Sequence, residues 1–391
     1  MSARRSAVVF VALGIVLFQC LGSRDAAWAQ DGAGDRKAPR LAFAEPSSKS
    51  PAPKPQGPAP AATKEPALLV APFDAEAART ARKAWALFRH VDAELKSSVG
   101  MKLTLIPAGE FQMGSSQAQI DKLMHADSDF AKETADHDKP QHRVRITRPF
   151  YLGTCEVTKG QFRKFVDDLN YLTDAEKDGN GGVGPTGKKE AAAAFDNESK
   201  FTWRDWGVAQ GDDEPVVNVS HNDAVSFCEW LGKKDGKQYR LPTEAEWEFA
   251  CRAGTTSLYY CGDDPEDLAK IANVADAAVL EKFPLWDFTI ASSDGWPYTA
   301  PVGKLRPNNF GVYDMTGNVW EWCADWYDEK YYANSPVADP QGPSSGTSRV
   351  LRGGSWRNPA AWCVSAHREA EGPTSRSCFR GFRLAADLPA K

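Results

Sequence analysis

Cysteine is the residue type in this sequence with the greatest capacity for redox or metal chemistry. Apart from Cys20 near the N-terminus, the cysteines are Cys155, Cys228, Cys251, Cys261, Cys323, Cys363 and Cys378. In an oxidising compartment some of them would pair, and their odd number predicts at least one free thiol. Cys363 is a candidate reactive thiol, because Arg357 and His367 lie close in sequence and a cation favours the thiolate. The alternative is a disulfide, for instance with Cys378, which would close a small loop.

A second pattern places oxygen ligands at a spacing that suits a hard cation. In Asp314-x-x-Gly317-x-Val319-x-Glu321, two side chains and two backbone carbonyls can converge on calcium. The alternative interpretation is a polar turn in which Asp314 and Glu321 cap the backbone themselves.

The elements that must position these residues are short and separated by long loops. Asp74 is predicted to cap one helix, Thr158 to start a second and Asp223 to cap a third. Thr243 and Glu246 have the spacing of a capping box at the start of a fourth. Short β-type patterns are predicted at 102–106, 109–114 and 143–146.

The N-terminal region resembles an export signal. Residues 1–29 combine a charged start, an apolar run and an Ala-x-Ala ending, which predicts a secretory signal peptide and a mature chain that begins at Gln30. The protein is therefore expected to be periplasmic or extracellular. The apolar run is about a dozen residues, short of the roughly 20 that span a bilayer, so an anchored helix is the lesser alternative. A lipid on Cys20 is another.

Three regions are predicted after the signal. Residues 30–70 are rich in Pro and Ala and are expected to form a disordered linker. Residues 71–98 are expected to contain a helix that packs on or precedes the domain, and 99–386 to form that domain. Within it, 170–206 is predicted to be an inserted surface loop.

Composition excludes several classes of protein. The chain has 391 residues, of which 42% are apolar and 25% charged, so it is globular, and its 13 Trp must be largely buried. A net charge of −5 without a basic stripe argues against nucleic acid. There is no phosphate loop or dinucleotide fingerprint, so a nucleotide ligand is not expected. The six histidines lack metal-ligand spacing beyond the loose pair His137 and His142.

A series of motifs then connects the domain with a known family. In chain order they are Phe111–Gly114, Glu156–Thr158, Pro215–Ser220, Arg240–Glu248, Gly317–Trp322, Arg352–Trp356 and Gly381–Arg383. The series resembles the signature motifs of the formylglycine-generating, or sulfatase-modifying factor, enzyme family. The resemblance implies an α+β, C-type-lectin-like fold that is loop-rich and low in regular secondary structure.

The same resemblance implies a chemistry that this chain matches only in part. The family's catalysts oxidise a sulfatase cysteine to formylglycine with oxygen and copper held by two thiolates, and soft Cu(I) prefers such ligands. The two positions hold Asn358 and Cys363 here. An amide is a hard, weak donor, so copper and oxidase activity are in doubt, and Cys363 is the lone catalytic candidate.

The family's two disulfides are not expected either. The resemblance implies bridges from Cys228 and Cys251 to positions that here hold Leu384 and Arg368. Buried free thiols, or a re-paired set of cysteines, are the alternatives.

Other site residues are carried over by the resemblance. The pattern from Asp314 to Glu321 matches one calcium site of the family, and a second set comprises Asn273, the Val274 carbonyl, Asp294 and the Trp296 carbonyl. Ser355 and Trp320 match residues that line the substrate groove, and the alternative is that they are core or turn residues. Two hypotheses follow: an oxidase that acts on a polypeptide such as a sulfatase, or a non-catalytic lectin-like module that binds a protein or glycan.

Overall fold

The computed structural model describes residues 64–126 and 137–389. The predicted signal peptide, 1–29, and most of the predicted linker, 30–63, lie outside the described residues. Only the last residues of the predicted linker are described, and the linker ends earlier than the predicted residue 70. Leu69–Val70 forms strand β1, which pairs in parallel with Gly109 and Glu110 at one edge of the strand Gly109–Met113.

The described chain contains few helices, and all are modest in length. They are α1 Ala75–Arg89, α2 Gln117–Ala126, α3 Lys159–Leu169, α4 Asp174–Lys177, α5 His221–Asp235, α6 Glu244–Arg252 and α7 Ala277–Lys282, with 3-10 turns at Pro265–Lys270, Tyr331–Asn334 and Ala360–Cys363. None of the helices in the described ranges is long and apolar enough to cross a membrane.

In the described part of the chain the strands are short and form four separate sheets. After β1 they are β2 Glu94–Lys96, β3 Lys102–Ile106, β4 Gly109–Met113, β5 His142–Ile146, β6 Phe150–Gly153, β7 Gly182–Pro185, β8 Phe195–Glu198, β9 Tyr239–Arg240, β10 Trp320–Trp326, β11 Arg349–Arg352, β12 Arg368–Glu371, β13 Arg380–Gly381 and β14 Ala385–Ala386. The sheet orders are β2-β3-β6-β14-β9, β12-β11-β10-β13, β1-β4-β5 and β7-β8.

Side-chain caps start the main helices. Thr158 caps α3 and Thr243 caps α6, as predicted, and each does so in a capping box, which was predicted only for Thr243. The prediction for α5 is wrong by three positions. Ser220 is its cap, and Asp223 is the third helical residue, whose carboxylate accepts a hydrogen bond from the Ser220 amide at 2.9 Å. Serine and aspartate both make good caps, so their spacing alone left the start ambiguous.

Helix α1 packs one face against the main apolar core. Asp74 accepts a hydrogen bond from the Ala77 amide at 2.8 Å and so starts the helix. Trp85, which is 2% exposed, belongs to the same cluster of buried side chains as Leu103 and Trp230. The helix is therefore part of the folded unit.

The segment 170–206 is not the plain surface loop that was predicted. It contains α4 and the β7-β8 hairpin, and its Trp203 and Trp206 are buried. The Trp206 ring lies 5.6 Å from that of Tyr298 and 6.4 Å from that of Trp356. These aromatic contacts with distant parts of the chain fix the segment, and neither its glycines nor its polarity reveals them.

Strand β10 brings the candidate site residues together. Glu321 pairs with Arg352 of β11 in antiparallel register, and Trp320 pairs with Arg380 of β13 in parallel register. The chain leaves β11 through Gly353 and Gly354, both with positive φ, and reaches Ser355 beside the start of β10.

Candidate functional site

Cys363 lies at the end of a 3-10 turn, in an apolar environment. Its side chain is 1% exposed and belongs to a cluster with Tyr259 and Val364. Burial raises the pKa of Cys363 to about 12. Arg357 or His367 was predicted to favour the thiolate of Cys363, but neither is among the groups that shift its pKa. Cys363 is thus a protonated core thiol.

Asn358 is held by hydrogen bonds that its amide is suited to make. Its Oδ1 accepts from Nε1 of Trp320 at 2.9 Å and from the Ser355 hydroxyl. Its backbone amide donates to the Ser355 carbonyl at 2.9 Å, and its carbonyl accepts from the Ala275 amide at 3.0 Å. We call Trp320, Ser355, Asn358 and Cys363 the Asn358 turn. Through these hydrogen bonds Asn358 connects strand β10 with the turn that follows β11.

Ser355 and Trp320 were predicted to line a substrate groove, and the structure buries both. Ser355 is 0% and Trp320 is 4% exposed, and both hydrogen-bond the side chain of Asn358. Neither can touch a ligand directly in this conformation. The partly exposed side chains of this region include those of Arg357, Trp362 and Phe379.

All cysteines in the described ranges are unpaired. The alternative prediction of a bridge between Cys363 and Cys378 is therefore wrong for this structure, since the two thiols belong to different apolar clusters. Cys228 and Cys251 are buried free thiols, one of the two outcomes left open above.

His367 is a buried cation beside the Asn358 turn. Its ring nitrogens lie 3.6 Å from Asp138 and 3.7 Å from Glu369, and its ring lies 5.6 Å from that of Trp320. Burial lowers the pKa of His367, but the carboxylates of Asp138 and Glu369 outweigh it and raise the pKa to about 9. His367 is therefore charged at neutral pH.

The first predicted calcium set has an arginine at its centre. Arg383 donates to both carboxylate oxygens of Glu321 at 2.6 Å, and Trp247 Nε1 donates to one of them at 2.8 Å. Arg383 also donates to the Asp314 carbonyl at 3.1 Å. A calcium ion would have to share Glu321 with this guanidinium, so the fit is poor for the set Asp314, Gly317, Val319 and Glu321.

A second carboxyl group adjoins that set. Glu156 is 1% exposed, and its Oε2 has no hydrogen-bond partner. Burial, followed by the charges of Asp314 and Glu321, raises the pKa of Glu156 well above its usual value. Burial also raises the pKa of Asp314, to about 6. The raised pKa favours the neutral form of Glu156, and Arg383 brings a positive charge to the carboxylate of Glu321.

The second predicted calcium set fits a cation better. Asn273 Oδ1 and Asp294 Oδ2 are both buried without a hydrogen-bond partner. The other Asp294 oxygen accepts from the Trp296 amide at 2.7 Å, and burial raises the pKa of Asp294 to about 8. Unpartnered buried oxygens are costly, and calcium binding by these atoms with the Val274 and Trp296 carbonyls would satisfy them.

Side-chain clusters do not supply an alternative metal site. Within 64–126 and 137–389 no group of three or more His, Cys, Asp or Glu side chains could hold a metal ion. Either calcium set therefore depends on amide and backbone carbonyl oxygens. The two-thiolate copper ligation is not present either, because Asn358 replaces one thiol and Cys363 is buried.

Arg357 was not predicted to have the environment that the structure gives it. Its guanidinium carbon lies 4.7 Å from the ring centre of Phe379, 5.5 Å from that of Phe195 and 5.8 Å from that of Trp286. We call these four residues the Arg357 site. The three rings come from distant segments, so sequence spacing carried no signal of it.

The fold and the site together define a class of protein: mixed α+β and loop-rich, with a C-type-lectin-like arrangement of short sheets. The description "Sulfatase-modifying factor enzyme 1-like domain" belongs to the family model that matches residues 88–388. The chain belongs to the formylglycine-generating enzyme, or sulfatase-modifying factor, family.

Relatives and solved structures agree with this assignment. The formylglycine-generating enzyme of Streptomyces coelicolor is 36% identical over 300 residues, which cover 72% of this chain and 88% of the relative. The mouse protein named inactive C-alpha-formylglycine-generating enzyme 2 is 31% identical over 302 residues, 72% of this chain and 84% of the relative. The structure of PvdO from Pseudomonas aeruginosa has a TM-score of 0.56 and 27% identity, covering 75% of this chain and 98% of that one.

Proposed function

We propose that this protein is an exported family member that binds a polypeptide and does not oxidise it by copper-thiolate chemistry. One observation carries the proposal: Asn358 Oδ1 accepts hydrogen bonds from Trp320 and Ser355 at the position where the family resemblance expects a copper thiolate. An amide oxygen committed to two donors is a poor ligand for a soft metal ion.

The state of Cys363 supports the same proposal. A thiol acts as a nucleophile or a metal ligand through its thiolate. With 1% exposure and a pKa raised to about 12 by burial, Cys363 has little thiolate at neutral pH and no open path to a substrate. Loss of the second thiol and burial of the first are consistent with one another.

Polypeptide binding is favoured by the partly exposed side chains beside the Asn358 turn. Arg357, Trp362 and Phe379 combine a guanidinium with two aromatic rings, a composition that is enriched at protein interfaces. The family resemblance also implies a polypeptide partner, a sulfatase in the case of its catalysts. A relative named as inactive, at 31% identity, is consistent with a non-catalytic role for this scaffold.

The remaining parts of the proposal concern export and calcium. Residues 1–29 have the pattern of a secretory signal, and chains exported in this way meet millimolar calcium more often than cytosolic chains do. We propose that Asn273, Asp294 and the carbonyls of Val274 and Trp296 hold a structural calcium ion, with Asn273 Oδ1 and Asp294 Oδ2 as the unpartnered oxygens that motivate it.

Turnover of a sulfatase-motif peptide tests the proposal. The mature chain from Gln30 is supplied with copper, oxygen and a cysteine-containing sulfatase-motif peptide, and aldehyde formation is followed by mass spectrometry. The formylglycine-generating enzyme of Streptomyces coelicolor serves as the positive control. We expect the peptide mass to stay unchanged with this protein.

Cys363→Ser is the matched variant. If the wild-type chain formed an aldehyde that the variant did not, the non-catalytic function would be wrong. If neither forms an aldehyde while the relative does, the proposal stands, and binding of the peptide is then measured separately.

A further inference from the structure

Arg357 lacks the partner that a partly buried cation normally has. Within the described residues its guanidinium forms neither an ion pair nor a hydrogen bond, and it lies against the rings of Phe195, Trp286 and Phe379. Cation-ring contacts stabilise a cation only modestly in a partly desolvated place. Burial lowers the pKa of Arg357, which is the direction expected of an uncompensated cation.

The buried arginines elsewhere in the domain behave differently. Each has a carboxylate partner, as the pairs Arg252–Glu248, Arg352–Glu248, Arg368–Glu244 and Arg383–Glu321 show. Buried charges are normally paired in this way, because an isolated one is costly. Arg357 differs from these four in having no carboxylate partner, and it differs from the partly buried Arg349, which also has none, in that Arg349 donates a hydrogen bond to the Ala324 carbonyl.

The charges around Arg357 do not supply the missing partner. The groups that act on it electrostatically are the Cys378 thiol and Arg380, and no carboxylate is among them. Arg380 has its own partner in Glu371. One uncompensated positive charge is left at a partly exposed position, directly before Asn358 in the chain.

The geometry suits an incoming carboxylate. Rings that pack around a guanidinium fix its plane, and its N–H edge can then donate two parallel hydrogen bonds to a planar oxyanion. One unpaired positive charge matches the single negative charge of a carboxylate. Phe379, one of the three rings, also accepts the Trp320 amide through its backbone carbonyl at 2.9 Å, so the site adjoins the Asn358 turn.

We propose that the Arg357 site binds a carboxylate side chain of an acidic polypeptide ligand, with Phe195, Trp286 and Phe379 holding the guanidinium in place. The source of the carboxylate rests on the proposed function, whereas the carboxylate subsite itself does not. The site thereby selects acidic segments over neutral ones of the same length.

Chemical protection tests the subsite without any peptide. Phenylglyoxal modifies accessible guanidinium groups, and peptide mapping reports the rate at each arginine. We expect glutarate at millimolar concentration to slow modification of Arg357 about tenfold and to leave Arg306, which is exposed, unaffected. Equal rates with and without glutarate would overturn the proposal, and protection by sulfate alone would replace the carboxylate with a sulfate ester such as that of a glycan.

Two fluorescein-labelled peptides test the source of the carboxylate. Gly-Ser-Glu-Glu-Glu-Ser-Gly and the same peptide with three glutamines are compared by fluorescence anisotropy. We expect the glutamate peptide to bind about tenfold more tightly, Arg357→Met to remove the difference, and Arg357→Lys to retain part of it.

The outcomes separate the two proposals. Glutarate protection without binding of either peptide leaves the carboxylate subsite and removes the polypeptide function. Equal binding of both peptides, together with no glutarate protection, leaves the polypeptide function and removes the subsite. A thermal melt of Arg357→Met with an unchanged midpoint shows that any loss of binding is not a loss of folding.

Discussion

The arginines that cross-link the core and the arginine beside Asn358 differ in what neutralises them. Arg252, Arg352 and Arg368 contact Glu244 or Glu248 inside the domain, and we call these five residues the ion-pair core. Arg357 is surrounded by aromatic rings instead. The difference indicates that the paired arginines stabilise the fold, whereas the charge of Arg357 is not used within it.

The same contrast extends to the Asn358 turn. There the family resemblance expects copper chemistry, yet Asn358, Ser355 and Trp320 hydrogen-bond one another, and Cys363 packs among apolar side chains. In this structure these residues contact one another and the core. Our proposal places ligand recognition on the partly exposed residues nearby.

The largest expected effect concerns the ion-pair core. Arg352 contacts Glu248 and donates to the carbonyls of Ala366 and His367 at 2.6 and 2.9 Å. Removing one partner of a buried ion pair leaves an uncompensated charge, so Arg352→Met is expected to lower the free energy of unfolding by about 3–5 kcal/mol. Urea denaturation measures it. The control is Arg143→Met, at an exposed pair with Glu110, which should leave the midpoint unchanged.

The next effect is a dependence of stability on pH through His367. The pKa of His367 is raised to about 9 in the folded protein, so its contribution is fully present below about pH 6.5 and is lost as pH rises to about 9. The loss is on the order of 3 kcal/mol. Denaturation midpoints between pH 6.5 and 9.5 should fall in the wild type and fall less in His367→Gln. Parallel curves would contradict the assignment of a buried imidazolium.

Calcium provides a comparison between the two predicted sets. Calcium at about 100 times its dissociation constant is expected to raise the free energy of unfolding by about 2.7 kcal/mol. Asp294→Asn should abolish the shift of the melting temperature, because it removes an unpartnered carboxylate. Asp314→Asn should preserve it, because Arg383 already engages Glu321 there. The reverse pattern would move the ion to the first set.

The smallest effect is expected at Cys363. Cys363→Ala removes one buried sulfur atom and should lower stability by only about 1 kcal/mol. Because the thiol is buried, binding of the glutamate peptide should be unchanged, as measured by anisotropy. A loss of binding at unchanged stability would return Cys363 to the ligand site.

Local signals predicted the elements better than the site. The starts of α3 and α6 were predictable from Thr158 and Thr243, because a capping box is complete within four residues. The motif series also predicted the fold class. The composition predicted that most Trp are buried, but not the partners of Trp206, since Tyr298 and Trp356 lie far away in sequence.

The environment of the site residues was predictable only in part. Replacement of a copper thiol by Asn358 is visible in the sequence. The burial of Ser355 and Cys363 is not, because it depends on how the turn after β11 packs. Arg357 lies among Phe195, Trp286 and Phe379, which come together only in the folded chain. Nothing in the sequence therefore indicated this aromatic environment.

An anaerobic Cu(I) titration against a competing chelator tests most directly whether the Asn358 turn is structural. The wild-type chain and Cys363→Ser are compared at pH 7. Because Asn358 is committed to Trp320 and Ser355 and burial raises the pKa of Cys363 to about 12, we expect both chains to retain the same small amount of copper. Retention of one tightly bound Cu(I) by the wild type, lost in Cys363→Ser, would contradict it.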